Sequence, residues 1–194
     1  MKKRVLTIIL LITLVLLLIG ATVWYQALSA EYDVDDIAAY GENGTQPTAQ
    51  AEQTADFTVI DMEGEAVSLS QLIGKPVIIN FWATWCGPCN SELPDFDALY
   101  SEYGDSVEFL MINLTDGSRD TVESVKEFVE DAGYSFPVYF DTGLEAANAY
   151  GVYSIPKTVA INPDGTINME QSGLMSEKQL RTCLENLIIT EKEK

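Results

Sequence analysis

Residues Pro76-Val77-Ile78-Ile79-Asn80-Phe81-Trp82 run almost without a polar side chain on either face, and just beyond them the chain reads Cys86-Gly87-Pro88-Cys89. A strand that is apolar on both faces needs cover on both sides, as in the middle of a sheet flanked by helices. The pattern after the cysteines is helical. Leu93, Phe96, Leu99, Tyr100 and Tyr103 recur at the spacing of one buried helix face. Pro88 falls in the first turn, where a missing N–H costs little. Two cysteines separated by two residues therefore sit where a buried strand becomes a helix, a sequence pattern that signals redox chemistry.

The remaining elements extend this unit in both directions. Phe57–Ile60 and Ala66–Leu69 read as a β-hairpin turning at Glu63-Gly64, and Ser70–Gly74 as a short helical turn. Val107–Asn113 reads as a strand and Arg119–Ala132 as a helix with Val122, Val125, Phe128 and Val129 inward, ended by Gly133. Phe136–Phe140 is a further strand and Leu144–Tyr150 a short helix. Thr158–Ile161 and Thr166–Met169 are strands joined through Asp164-Gly165. A last helix capped by Ser176 carries Leu180, Cys183, Leu184, Leu187 and Ile188. The order predicts an α/β domain over 57–190, with a central mixed sheet, helices on both faces, an N-terminal hairpin and a charged tail at 191–194.

The ends have a different composition. Lys2, Lys3 and Arg4 precede an uncharged run from Val5 to Val23. At about 1.5 Å per residue such a run spans roughly 28 Å, close to the hydrocarbon thickness of a bilayer. It is longer than the apolar core of a usual signal peptide, although Ala27-Leu28-Ser29 offers small residues at a cleavage spacing. Residues 1–25 are therefore read as a retained membrane anchor, a single transmembrane helix. The basic cluster stays cytoplasmic, and the rest of the chain lies outside. Residues 26–56, polar and acidic, read as a flexible linker.

All 30 acidic residues follow the apolar run, whereas three of the 11 basic ones precede it. So acidic a chain disfavours nucleic acid as a partner, because phosphates need a basic surface. The chain has no histidine. That excludes Ser-His-Asp and Cys-His catalysis and Cys/His zinc sites, and its three cysteines are one short of a four-thiolate zinc site. No metal and no cofactor is expected beyond a redox-active Cys86–Cys89 disulfide.

A thiolate, not a thiol, attacks a disulfide. Cys86 stands just before the helix, where unpaired N–H groups and the macrodipole favour negative charge, so its pKa should fall below that of free cysteine. Cys89, one turn in, should be more buried. Cys86 is then the attacking nucleophile and Cys89 the resolving thiol.

With Trp85, Gly87 and Pro88 forming the active-site loop around these cysteines, Phe81-Trp82-Ala83-Thr84-Trp85-Cys86-Gly87-Pro88-Cys89 resembles the thioredoxin active site. The wider pattern is similar to the membrane-anchored TlpA/ResA-like branch of that family. It includes Leu69-x-x-Leu72-x-Gly74-Lys75-Pro76, Glu92-Leu93-Pro94, Phe136-Pro137-Val138, Ala149-Tyr150-Gly151-Val152, Ile155-Pro156 and Asn162-Pro163-Asp164-Gly165. The resemblance implies a thioredoxin-like fold with an inserted strand–helix unit at 136–151. It implies an extracytoplasmic thiol–disulfide oxidoreductase that reduces disulfides in client proteins such as apocytochrome c. It also implies a membrane electron carrier of the CcdA/DsbD type that recharges the enzyme. Pro156 would be a cis-proline facing the cysteines, and the backbone of Ile155 would pair with an extended substrate segment. Glu92 matches that branch's active-site glutamate. It would relay a proton and tune the thiol pKa values where Asn80 replaces the buried Asp of thioredoxins, or else be an ordinary carboxylate of a helix's first turns. Lys157 departs from the threonine usual after the cis-proline; it would either bias the thiolate and partner choice or point to solvent.

Two other functions fit part of the sequence. A thiol peroxidase of peroxiredoxin type needs Pro-x-x-x-Thr-x-x-Cys, but Ile79 and Ala83 hold those positions before Cys86, and Trp82 and Cys86 hold them before Cys89. A tethered binding module would keep the disulfide as a static staple. Cys183, on the apolar stripe of the last helix, reads as a buried free thiol.

Overall fold

The structure is a computed structural model that describes Leu17, Leu18, Gly20 and Thr22, all helical, and residues 53–192. The chain divides into two units, Met1–Ala49 and Gln50–Lys194. Apart from those four residues the expected anchor at 1–25 lies outside the described residues, as does the linker up to residue 52. No helix among the described residues is long and apolar enough to cross a membrane.

The second unit is built on one seven-stranded sheet of order β2-β1-β5-β4-β3-β6-β7. Its strands are β1 Thr58–Ile60, β2 Ala66–Ser68, β3 Val77–Trp82, β4 Glu108–Asn113, β5 Val138–Phe140, β6 Lys157–Ile161 and β7 Ile167–Ser172. Every residue of β3 is buried, which is why its sequence lacks the alternation of a half-exposed strand. It pairs parallel with β4 and antiparallel with β6. Parallel neighbours need a crossover, and two helices supply them. The first, α1 Gly87–Tyr103, joins β3 to β4; the second, α2 Val122–Ala132, joins β4 to β5. The short α3 Glu145–Ala149 and the last helix, α4 Glu177–Lys192, follow.

Alternate residues of the central strands feed two cores. Ile78, Trp82, Phe109 and Met111 pack with Leu93, Phe96 and Leu99 of α1, Val125 and Val129 of α2, and Leu180, Leu184 and Leu187 of α4. Val77, Ile79, Phe81, Leu110 and Ile112 pack on the other face with Leu69, Ala146 and Tyr150. The sheet is thus mixed and covered on both faces, the thioredoxin-like α/β arrangement.

Three boundaries differ from the sequence reading. α2 begins at Val122, not Arg119, because Thr121 is its cap: the Thr121 hydroxyl accepts from Ser124 N, and the Ser124 side chain accepts from Thr121 N. α4 runs through Lys192, taking in the first two residues read as tail. The ordered unit also begins before Phe57. Gln53 bridges Thr166, Thr54 N donates to Gly165 O at 3.0 Å, and the Asp56 carboxylate accepts from Ser70 N at 3.0 Å. The polarity of these residues, read as linker, serves such loop bonds.

Candidate active site

Strand register brings three loops together. Trp82 of β3 is level with Asn113 of β4, and Phe81 is level with Lys157 of β6. The carboxyl ends of β3 and β4 and the amino end of β6 therefore share one edge of the sheet, the edge where open α/β sheets bind ligands. The loop after β3 carries the cysteines, the loop before β6 carries Ile155 and Pro156, and the loop after β4 spans 114–121.

Cys86 and Cys89 are joined by a disulfide of 2.04 Å. Cys86 is the N-cap of α1. Its backbone is extended (φ −88°, ψ 102°), and its sulfur accepts from Cys89 N at 3.2 Å. Gly87 and Pro88 form the first turn of α1. A sulfur placed so meets the positive end of the helix and one of its unpaired donors, which stabilises a thiolate. Cys86 is 5% exposed and Cys89 fully buried, so an incoming disulfide reaches Cys86 first.

The Ile155–Pro156 peptide is cis. Ile155 lines a groove of about 360 Å³ together with Trp85, Leu114, Arg119, Val152 and Tyr153. Trp85 is 44% exposed and Tyr153 99% exposed. The groove is mostly apolar, with Asp116 and Arg119 at its charged part, and reaches Trp85, the residue before Cys86.

Glu92, on α1, is 1% exposed. Its carboxylate accepts from Asn80 Nδ2 at 2.8 Å and from Met175 N at 2.9 Å. Asn80 Nδ2 also donates to Thr158 Oγ1 at 3.1 Å. Burial raises the Glu92 pKa, and the two hydrogen bonds pull it down only in part. Glu92 is therefore a carboxylate held in the core beside the Cys89 turn of its helix, not a solvated charge of a helix's first turns.

Lys157 does not point to solvent. Its Nζ donates to Tyr150 O at 2.6 Å and pairs with Glu170 at 2.8 Å, and the residue is 7% exposed. It points away from solvent and is committed to the loop before β6 and to β7. Cys183 is free and buried, and burial pushes its thiol up to about 11, which leaves it protonated and inert at neutral pH.

The sequence reading missed the loop after β4. Asp116 accepts from the backbone N–H groups of Ser118, Arg119 and Asp120, and these bonds, that of Ser118 foremost, hold its pKa at about 2. The turn so formed presents Arg119, whose guanidinium lies 3.7 Å from the centre of the Trp85 ring, and Asp120, which is fully buried. Asp120 accepts from Thr84 N at 2.9 Å, from the Thr84 hydroxyl, and from Asn113 Nδ2 at 2.9 Å. The turn residues Asp116-Gly117-Ser118 were the available signal; starting the helix at Arg119 hid it.

The chain matches the AhpC/TSA family over residues 51–169. It is 38% identical over 135 residues to the thiol-disulfide oxidoreductase ResA of Halalkalibacterium halodurans, covering 69% of this chain and 74% of the relative. It is 33% identical over 175 residues to the thioredoxin-like protein YneN of Bacillus subtilis, covering 89% of this chain and 94% of the relative. Among solved structures it resembles StoA from Bacillus subtilis at 30% identity and a TM-score of 0.59, covering 69% of this chain and 98% of that one.

Proposed function

The chain belongs to the AhpC/TSA family and is a thioredoxin-like thiol–disulfide oxidoreductase of the ResA type, and on that footing we propose that it reduces disulfides of exported proteins from an N-terminal membrane tether. The observation that carries this reading is the Cys86–Cys89 disulfide at the start of α1, with Cys86 as the helix cap and Cys89 buried behind it. In the reduced protein the Cys86 thiolate attacks a client disulfide. One client sulfur leaves and takes a proton, and a mixed disulfide forms. Cys89 loses its proton and attacks the Cys86 sulfur, the second client sulfur leaves and takes a proton, and the Cys86–Cys89 disulfide closes, so the client has gained two electrons and two protons. Glu92, three residues after Cys89 on the same buried helix face, is the candidate to accept the Cys89 proton, since its raised pKa brings it closer to proton-sharing with a thiol. Client backbone would pair at Ile155, with side chains in the groove beside Trp85 and Tyr153.

The basic residues before the apolar run at 5–23 support a tether with the catalytic unit outside the cytoplasm. There, apocytochrome c is one fitting client class, and a membrane dithiol carrier of the CcdA/DsbD type would return electrons to Cys86–Cys89. The surroundings of the disulfide argue against a static staple: Trp85 and Tyr153 remain exposed around it.

The test is the full chain carrying Cys89→Ser, expressed in bacterial cells. Cys86-dependent mixed disulfides should accumulate in the membrane fraction and disappear on reduction. A membrane-impermeant maleimide should reach Cys86 in intact cells. Absence of adducts contradicts the exchange reading; labelling only after lysis contradicts the topology.

A further inference from the structure

We infer that Asp120 is the positioning residue of the active-site turn, holding Thr84 so that the Cys86 and Cys89 thiols of the reduced protein stay within bonding reach. The inference rests on the exchange reading of Cys86–Cys89 and goes beyond it to a residue outside the motif.

Thr84 lies between the end of β3 and Cys86, and all of its polar groups are bonded. Its N–H and hydroxyl both donate to the Asp120 carboxylate. Its carbonyl accepts from Asn90 Nδ2 at 2.8 Å, one residue past Cys89. The turn is closed further by Cys86 N donating to Ala83 O at 3.1 Å. Thr84 thus ties the start of α1 on one side and the loop after β4 on the other.

Asp120 is anchored in turn. Asn113 Nδ2 donates to it from the end of β4, and its own carbonyl accepts from Gly117 N at 2.9 Å. Its carboxylate is not used on α2, whose cap is Thr121. A fully buried carboxylate is costly unless its donors satisfy it, and two of its three donor bonds come from a single residue of the active-site turn. Arg119, from the same loop, lies over Trp85, so the loop grips the Thr84-Trp85 pair inside and out.

The consequence differs between redox states. In the oxidised protein the disulfide itself fixes the turn. In the dithiol state the fixing falls to hydrogen bonds, and Asp120 supplies those at Thr84. Loosening them spreads the two thiols over more arrangements and lowers their effective concentration toward each other. The dithiol is then favoured, and the reduction potential becomes more positive.

The experiment equilibrates the full chain, purified in detergent, with glutathione: oxidised protein plus two glutathione thiols gives the dithiol protein plus glutathione disulfide. Two electrons and two protons pass to Cys86 and Cys89. Asp120→Asn and Thr84→Val should each raise the equilibrium constant about tenfold, equivalent to ~30 mV for a two-electron couple. Thr84→Ser, which keeps the hydroxyl, should stay within about twofold of the parent. The double variant Asp120→Asn/Thr84→Val should shift little further than either single one, because both weaken the one Thr84–Asp120 contact. If Asp120→Asn does not fold, the Thr84→Val and Thr84→Ser pair decides. Thr84→Val within about twofold of the parent overturns the inference, whatever its melting temperature, since a merely structural bond would move the melting point and not the redox equilibrium. A parent chain that does not exchange with glutathione overturns both this inference and the exchange reading.

Discussion

Glu92 is a carboxylate in the core, bonded to Asn80 and to the Met175 amide, and burial raises its pKa above the ordinary carboxylate value. A raised folded-state pKa means that the folded protein holds this proton more tightly than the unfolded chain. Its contribution to stability is then fully present below the unfolded value, near 4.5, and is lost as pH rises through the folded value. Melting temperatures of the oxidised protein between pH 4 and pH 7 should show this loss in the parent and not in Glu92→Gln. Parallel pH profiles would contradict it. Position and spacing pointed to Glu92, since three residues after Cys89 on a helix is the same face. Its partners were not legible, because Met175 is 83 residues away in the chain and only the fold brings its amide there. Lys157 shows the converse. Its sequence position left solvent as one direction for its charge, while the fold buries it against the partners Tyr150 and Glu170.

Elements were legible where burial writes a period into side-chain type. β3 announced itself by an unbroken apolar run, α1 and α4 by 3.6-residue spacing, and the β6–β7 connection by Asp164-Gly165. The start of α2 was not, because polar residues that bond to backbone follow no such period. Asp120 has a carboxylate that suits a helix's first turn equally well, and only the Asp116 bonds and the Thr121 cap set the boundary. The two boundaries make opposite predictions for Thr121→Ala. With Thr121 as N-cap, the substitution costs about 1 kcal/mol. With a helix running from Arg119, Thr121 would be interior and Ala would stabilise by a few tenths. Urea unfolding of the full chain in detergent should show the loss; a gain would restore the longer helix. At the far end, Gly133 closes α2 with φ +71°, a conformation that a residue with a Cβ adopts only at a cost.

At the scale of the whole molecule, charge and connectivity shape what the site can meet. The chain carries 30 acidic against 11 basic residues, a balance that disfavours contact with anionic surfaces. The mixed sheet was inferable from the β-β-β-α-β-α-β-α-β-β-α order, since parallel neighbours require the two crossover helices. The meeting of three loops at one sheet edge needed the register: Trp82 level with Asn113 and Phe81 with Lys157. The direction of electron flow belongs to the molecule as a whole, since it depends on the relative stability of the disulfide and dithiol forms. The measurement that tests it most directly is the reduction potential of the Cys86–Cys89 couple in the full chain. A reductant of protein disulfides should lie at roughly −200 to −270 mV, the range of thioredoxin- and glutaredoxin-like couples. A potential near about −120 mV, that of a strong disulfide donor, would contradict the reductive role.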